Sequence, residues 1–168
     1  DEALFKEHTP EECPICLLPL PLEEDQTTFE SCCGKTICSG CVYAMIGEAR
    51  GRGKINLCAF CREPKPTSAE EDIKRLQKLM EVNNADAFSH FGGYYAQGIR
   101  GVPQDFPKAN ELYLRAAELG CGEAYNNLGY SYDNGEGVEM DKKKAIHFYE
   151  LAAMNGSVEA RYNLGCDE

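Results

Sequence analysis

Residues 122–157 read GEAYNNLGYSYDNGEGVEMDKKKAIHFYELAAMNGS, and their spelling recurs on both sides. Ala87, Ala124 and Ala160 stand at intervals of 37 and 36, and Gly92, Gly129 and Gly165 do the same. QGIRGV (97–102) carries one residue more than NGEGV (134–138), and beyond that point the interval is 36. It pairs Asp105 with Asp141, Lys108 with Lys144, Ala109 with Ala145 and Tyr113 with Tyr149. Ala116–Ala117 pairs with Ala152–Ala153, and Gly120 with Gly156. Self-similarity at a fixed period marks a repeat array. Each unit reads as two helices. The first runs from near Gly122 to Tyr132 and ends in a glycine-rich turn. The second runs from about Lys142 to Met154, and Gly156 suits the left-handed position that closes a helix. Alanine and glycine at the matched positions let neighbouring helices approach, and Tyr113 and Tyr149 fill the gaps between them.

The period exceeds the roughly 34 residues of a tetratricopeptide repeat. The pattern A-x-x-x-L-G-x-x-Y…G-x-G-V-x-x-D-x-x-K-A…Y…A-A-x-x-G resembles Sel-one-like repeats. The match divides residues 85–168 into units 85–121, 122–157 and a partial 158–168. The resemblance implies an α-solenoid that scaffolds protein complexes, and so a protein substrate or partner on its surface. The chain stops within the first helix of a third unit, as a fragment would, with Leu164 expected to face nothing. Upstream, IKRLQKLMEVNNADAF (73–88) fits the register when set 37 residues back, Met80 falling on Ala117 and Glu81 on Glu118. Residues 68–84 therefore read as a degenerate second helix capping the first full repeat, as terminal units of solenoids do. Pro64 and Pro66 bar a helix before it, and Ser68 with Glu71 makes a capping box that starts one.

The first third of the chain is different. Eight of the ten cysteines lie between Cys13 and Cys61. They fall in close pairs: Cys13-Pro-Ile-Cys16, Cys32-Cys33, Cys38-Ser-Gly-Cys41 and Cys58-Ala-Phe-Cys61. Two thiolates separated by two residues can face one tetrahedral ion, and three such pairs point to zinc. With no secretory signal in view, metal is favoured over a disulfide scaffold, which places the chain in a reducing compartment, cytoplasm or nucleus. The chain starts at Asp1 rather than methionine, so an earlier segment is expected to be missing. A net charge of −11 argues against nucleic acid as a partner. No apolar run approaches the roughly 20 residues that span a membrane.

The order pair, fifteen residues, pair, four, pair, sixteen, pair resembles a RING finger. In that family the first and third pairs share one zinc, and the second and fourth share the other. The resemblance thus implies two Zn²⁺: Cys13, Cys16, Cys38 and Cys41 for the first, Cys32, Cys33, Cys58 and Cys61 for the second. A histidine usually stands where this chain has Lys35, and an ammonium has no free lone pair, so the all-cysteine variant is the one resembled. Adjacent Cys32 and Cys33 reach one ion only if the backbone bends sharply, which Gly34 permits. The resemblance also implies a ubiquitin-conjugating enzyme as partner, met through Ile15, through Met45 on a helix expected from Val42 to about Arg50, and at Ala59, where the family often has proline. Arg62 matches the cation that positions enzyme and ubiquitin together. Each residue also has a plainer reading, Ile15 and Met45 as small core and Arg62 as surface.

QTTFE (26–30) and KINLC (54–58) read as short strands. The expected fold is a small zinc-stabilised α+β RING finger, residues 9–64, followed by an all-α solenoid of helix-turn-helix repeats. Two functions are compatible with it: a RING-type ubiquitin ligase, or a zinc-stabilised interaction scaffold without transfer activity.

Overall fold

The computed structural model describes residues 11–21, 26–50 and 56–166. Two compact units are present, one within residues 9–79 and one within 80–168. No helix among the described residues is long and apolar enough to cross a membrane.

In the first unit, strands β1 (Thr27–Glu30) and β2 (Lys35–Cys38) pair antiparallel, with Thr27 opposite Cys38 and Glu30 opposite Lys35. The turn between them contains Cys32 and Cys33. It closes through amides of Cys33 and Gly34, which donate to the Glu30 carbonyl at 3.2 and 2.8 Å. Gly34 takes φ 65°, the bend expected of it. β1 falls in the expected strand 26–30. β2 lies in a stretch read only for its ligands, where Thr36 and Ile37 supply the β-branched pair that favours a strand. Helix α1 (Ser39–Arg50) starts before the expected Val42. Of the expected strand 54–58, Lys54 and Ile55 lie outside the described residues, and Leu57 forms an isolated antiparallel bridge to Pro64. Ile37, Met45 and Ala59 make the small core together with Cys13 and Cys58. Among the described residues this is a small apolar core, and small cores are the ones that metals or disulfides commonly reinforce.

Helix α2 (Ala69–Glu81) follows. One arm of its capping box forms, Ser68 Oγ accepting from the Glu71 amide at 3.2 Å, while the Glu71 carboxylate accepts from the Thr67 amide at 2.9 Å, one residue before the cap. The division between the two compact units falls within this helix, after Leu79. Asp72 is buried and accepts from Ser31 Oγ at 2.6 Å, and Arg75 Nη1 donates to the Pro64 carbonyl at 2.7 Å. A buried carboxylate needs a donor, and the turn between β1 and β2 provides one.

The second unit is a run of antiparallel helices: α3 (Ala85–Gln97), α4 (Phe106–Glu118), α5 (Gly122–Asn134), α6 (Lys142–Met154) and α7 (Val158–Cys166). Each packs on the next. Asp105 and Asp141 cap α4 and α6 by accepting from the amides of Lys108 (2.9 Å) and Lys144 (3.1 Å). The repeated glycines and tyrosines meet directly. A Cβ on Gly92 would stand 2.7 Å from the Tyr113 ring, and one on Gly129 would stand 2.6 Å from Tyr149. Only glycine lets the two helices of a unit close over that ring. Ala109, Ala116, Ala117, Ala124 and Leu128 continue the core into the next unit. The expectation that Leu164 faces nothing is overturned. It packs on Ala145, Tyr149, Ala152, Ala153 and Ala160, because α7 repeats the alanine-lined seat of α5.

Candidate metal centres

The loops carrying the first and last cysteine pairs share one backbone pattern. The Cys13 amide donates to the Leu18 carbonyl and the Leu17 amide to that of Cys13, both at 2.9 Å. The Cys58 amide donates to the Glu63 carbonyl at 2.7 Å, and the Arg62 amide to that of Cys58 at 3.2 Å. Isolated bridges, Glu12 to Pro19 and Leu57 to Pro64, close the two loops. Leu17 and Arg62, each directly after its second cysteine, take left-handed φ of 59° and 65°. Amides of Phe60 and Cys61 point at Cys58 Sγ at 3.4 and 3.5 Å, the usual way such a loop turns around a thiolate.

The topology brings the eight cysteines into two groups of four. Cys13, Cys16, Cys38 and Cys41 form one and Cys32, Cys33, Cys58 and Cys61 the other, their sulfurs all within 4.8 Å of one another in each group. The hairpin interleaves them, because β2 carries Cys38 away from the turn that holds Cys32 and Cys33. Sulfur–sulfur separations are 3.9 Å for Cys13–Cys41, 3.8 Å for Cys16–Cys38, 3.9 Å for Cys33–Cys58 and 3.3 Å for Cys61–Cys32. A tetrahedron with zinc–sulfur bonds of about 2.3 Å has edges of about 3.8 Å. Three of the four separations suit a metal ion of that size, and Cys61–Cys32 at 3.3 Å is shorter than such an edge.

The acidities carry the same message. Burial, then the charge of Cys58, pushes Cys33 up to about 12. Burial and the neighbouring Cys38 thiol push Cys41 up to about 12, and Cys32 is raised by burial and Cys61. Burial works to raise Cys13 too, but backbone donors at Cys16, Cys38 and Ile15 outweigh it and hold it at about 6. Crowded thiols cannot all ionise beside one another, and a bound dication removes that conflict.

The other expected site residues separate. Ile15 is 41% exposed, and Arg62 is exposed beside the last ligand. Met45 and Ala59, expected on the same contact face, are instead buried at 7% and 5% exposure. Both are drawn into the core between the two groups, Met45 by the helical turn above Cys41 and Ala59 by the loop around Cys58. Lys35 is exposed and belongs to neither group. The exposed apolar side chains on the loops that were not singled out are Leu17, Leu18 and Phe60, at 69%, 64% and 43%. Their position beside ligands was visible in the sequence, but their outward direction depends on the left-handed turn at Leu17 and its counterpart.

Residues 92–121 and 122–157 match the Sel1 repeat family. The chain is 34% identical over 97 residues to the ERAD-associated E3 ubiquitin-protein ligase component HRD3B of Arabidopsis thaliana, covering 57% of this chain and 15% of that protein. It is 32% identical over 100 residues to chitin synthase regulatory factor 3 of Schizosaccharomyces pombe, covering 58% and 11%. The chain thus spans less than a sixth of the length of these curated relatives. Among solved structures, a Sel1 repeat protein from Oxalobacter formigenes superposes with a TM-score of 0.57 at 30% identity, covering 76% of this chain and 47% of that one. Cysteine rich protein B of Helicobacter pylori superposes with a TM-score of 0.53 at 29% identity, covering 56% and 71%.

Proposed function

We propose, on the premise that residues 92–157 are two Sel1 repeats, that the chain is a RING-type ubiquitin ligase whose solenoid holds a protein substrate or partner. The observation that carries this reading is the interleaving of the two cysteine groups, with Ile15 and Arg62 left exposed on matching loops. Two Zn²⁺ held by thiolates alone would have no open coordination position. Their contribution is folding energy and loop geometry. A ligase of this kind forms no covalent intermediate. It holds a ubiquitin-charged conjugating enzyme in its reactive arrangement and brings a target lysine near, so catalysis is positioning. HRD3B, similar to this chain, is by name an ERAD-associated component of an E3 ubiquitin-protein ligase, which supports a role for such repeats in ubiquitin transfer. Reduced, metal-bound thiols fit the cytoplasm or nucleus.

The burial of Met45 and Ala59 favours a second reading, a zinc-stabilised scaffold without transfer activity, since it removes half of the expected contact set. One experiment separates the two. The protein is mixed with a panel of ubiquitin-charged conjugating enzymes and discharge to free lysine is followed. Ile15→Ala should weaken capture about fivefold by removing apolar contact. Arg62→Ala, which keeps a Cβ at the left-handed position and so leaves its backbone cost unchanged, should barely alter capture and should cut discharge about tenfold or more. Wild-type discharge at background with every enzyme, unchanged by either substitution, would establish the scaffold instead.

A further inference from the structure

Three of the four cysteine pairs have two residues between their ligands, and the turns around Cys13–Cys16 and Cys58–Cys61 close through their own backbone. Cys32 and Cys33 have none. Adjacent side chains diverge, so this pair must be held by its surroundings. Those surroundings come from residues beyond the last ligand. Glu30, buried at the end of β1, pairs with Lys65 Nζ at 2.9 Å, and its carbonyl receives the amides of Cys33 and Gly34. Ser31, directly before Cys32, is 9% exposed and donates its hydroxyl to Asp72 of α2, itself 5% exposed, at 2.6 Å. The Asp72 amide in turn donates to the Ser68 carbonyl at 3.2 Å, fixing the carboxylate on the first turn of the helix. Arg75, one turn on, donates to the Pro64 carbonyl, so α2 is tied to the loop of the fourth pair as well.

From these contacts we infer that Asp72 is a positioning residue for the second metal centre. Acting through Ser31, it sets the turn that lets two adjacent cysteines face one ion. The finger that binds two metals therefore extends into α2, past the expected boundary at residue 64. In the first group, by contrast, the Cys13–Cys16 turn closes through its own backbone. This inference rests on the reading that both cysteine groups hold zinc.

The test uses the whole chain loaded with Zn²⁺. Cysteine alkylation is timed in the presence of a weak chelator, with each modified residue located by mass spectrometry. Asp72→Ala should expose Cys32, Cys33, Cys58 and Cys61 at least tenfold faster, with Cys13, Cys16, Cys38 and Cys41 keeping their wild-type rate. Ser31→Ala should do the same, Ser31→Thr should restore protection by keeping the hydroxyl, and the double variant Ser31→Ala/Asp72→Ala should be no worse than either single one. In Co²⁺-loaded protein, Asp72→Ala should also change the thiolate charge-transfer absorption of one of the two ions. If all eight cysteines accelerate together, or none does, Asp72 merely docks α2 and the inference fails. If the wild type takes up no zinc, the reading of the cysteine groups fails first, and the two failures are told apart by metal content alone.

Discussion

Gly137 lies at φ 72° in the loop between α5 and α6, and a Cβ there would stand 2.5 Å from the Phe106 carbonyl carbon and the Pro107 nitrogen. Those atoms are backbone at the start of α4 and cannot rotate away. The same loop is tied to α4 by Asn110 Nδ2, which donates to the Glu136 carbonyl at 2.7 Å. Gly101 has a similar left-handed φ of 81° but nothing within 4 Å of its Cβ position. Gly101→Ala should therefore cost only the conformational penalty, about 1 kcal/mol. Gly137→Ala adds overpacking and should cost roughly 3 kcal/mol, lowering the thermal midpoint of the helical signal by about 10–20 °C. Equal shifts for the two variants would mean that the loop moves off α4 freely. At this scale the sequence was informative about which residues matter and uninformative about what they touch. Gly92 and Gly129 stood out by recurrence, as did Tyr113 and Tyr149. That each tyrosine ring lies on the glycine of its own unit follows from a helix crossing that one-dimensional spacing does not encode.

Among the elements, the helices of the solenoid were the most legible, because period, cap and glycine stop agree there. α6 begins and ends at the expected Lys142 and Met154. In the first unit the cysteine spacing dominates the sequence and hides the second strand of the hairpin. Ile37 is buried at 0% exposure on that strand, yet in the sequence it is one apolar residue among cysteines. At α2 the start of the helix is legible, but its contact with the hairpin turn is not, because Ser31 and Asp72 lie 41 residues apart. The two units also differ in what sustains them. Helices α3 to α7 pack on one another through continuous apolar seams, whereas the hairpin and α1 surround cysteines and little else. On the proposal that both cysteine groups hold zinc, a strong chelator should abolish protection of residues 13–61 from proteolysis while most of the helical circular dichroism persists. Parallel loss of both would show that the solenoid depends on the cysteine-rich unit.

For the molecule as a whole, the contact between each glycine and its tyrosine makes residues 122–157 a transposable module. The unit starts after Cys121 and ends at Ser157, and both edges sit at equivalent points of the helical path, as α4 to α5 and α6 to α7 show. The extra residue in the first unit is absorbed locally, by Arg100 and Gly101 at φ 58° and 81°, without shifting the helices that follow. Length is therefore a quantity that gene duplication could change without redesign. A tandem second copy of residues 122–157, inserted after Ser157, would place its first helix on the seat now taken by α7 and pass an identical seat onward. Because repeat arrays gain stability with every added interface, the lengthened protein should melt at a higher temperature, by several degrees, with more helical signal per residue. A lower midpoint would mean that the copies are equivalent in sequence but not in packing.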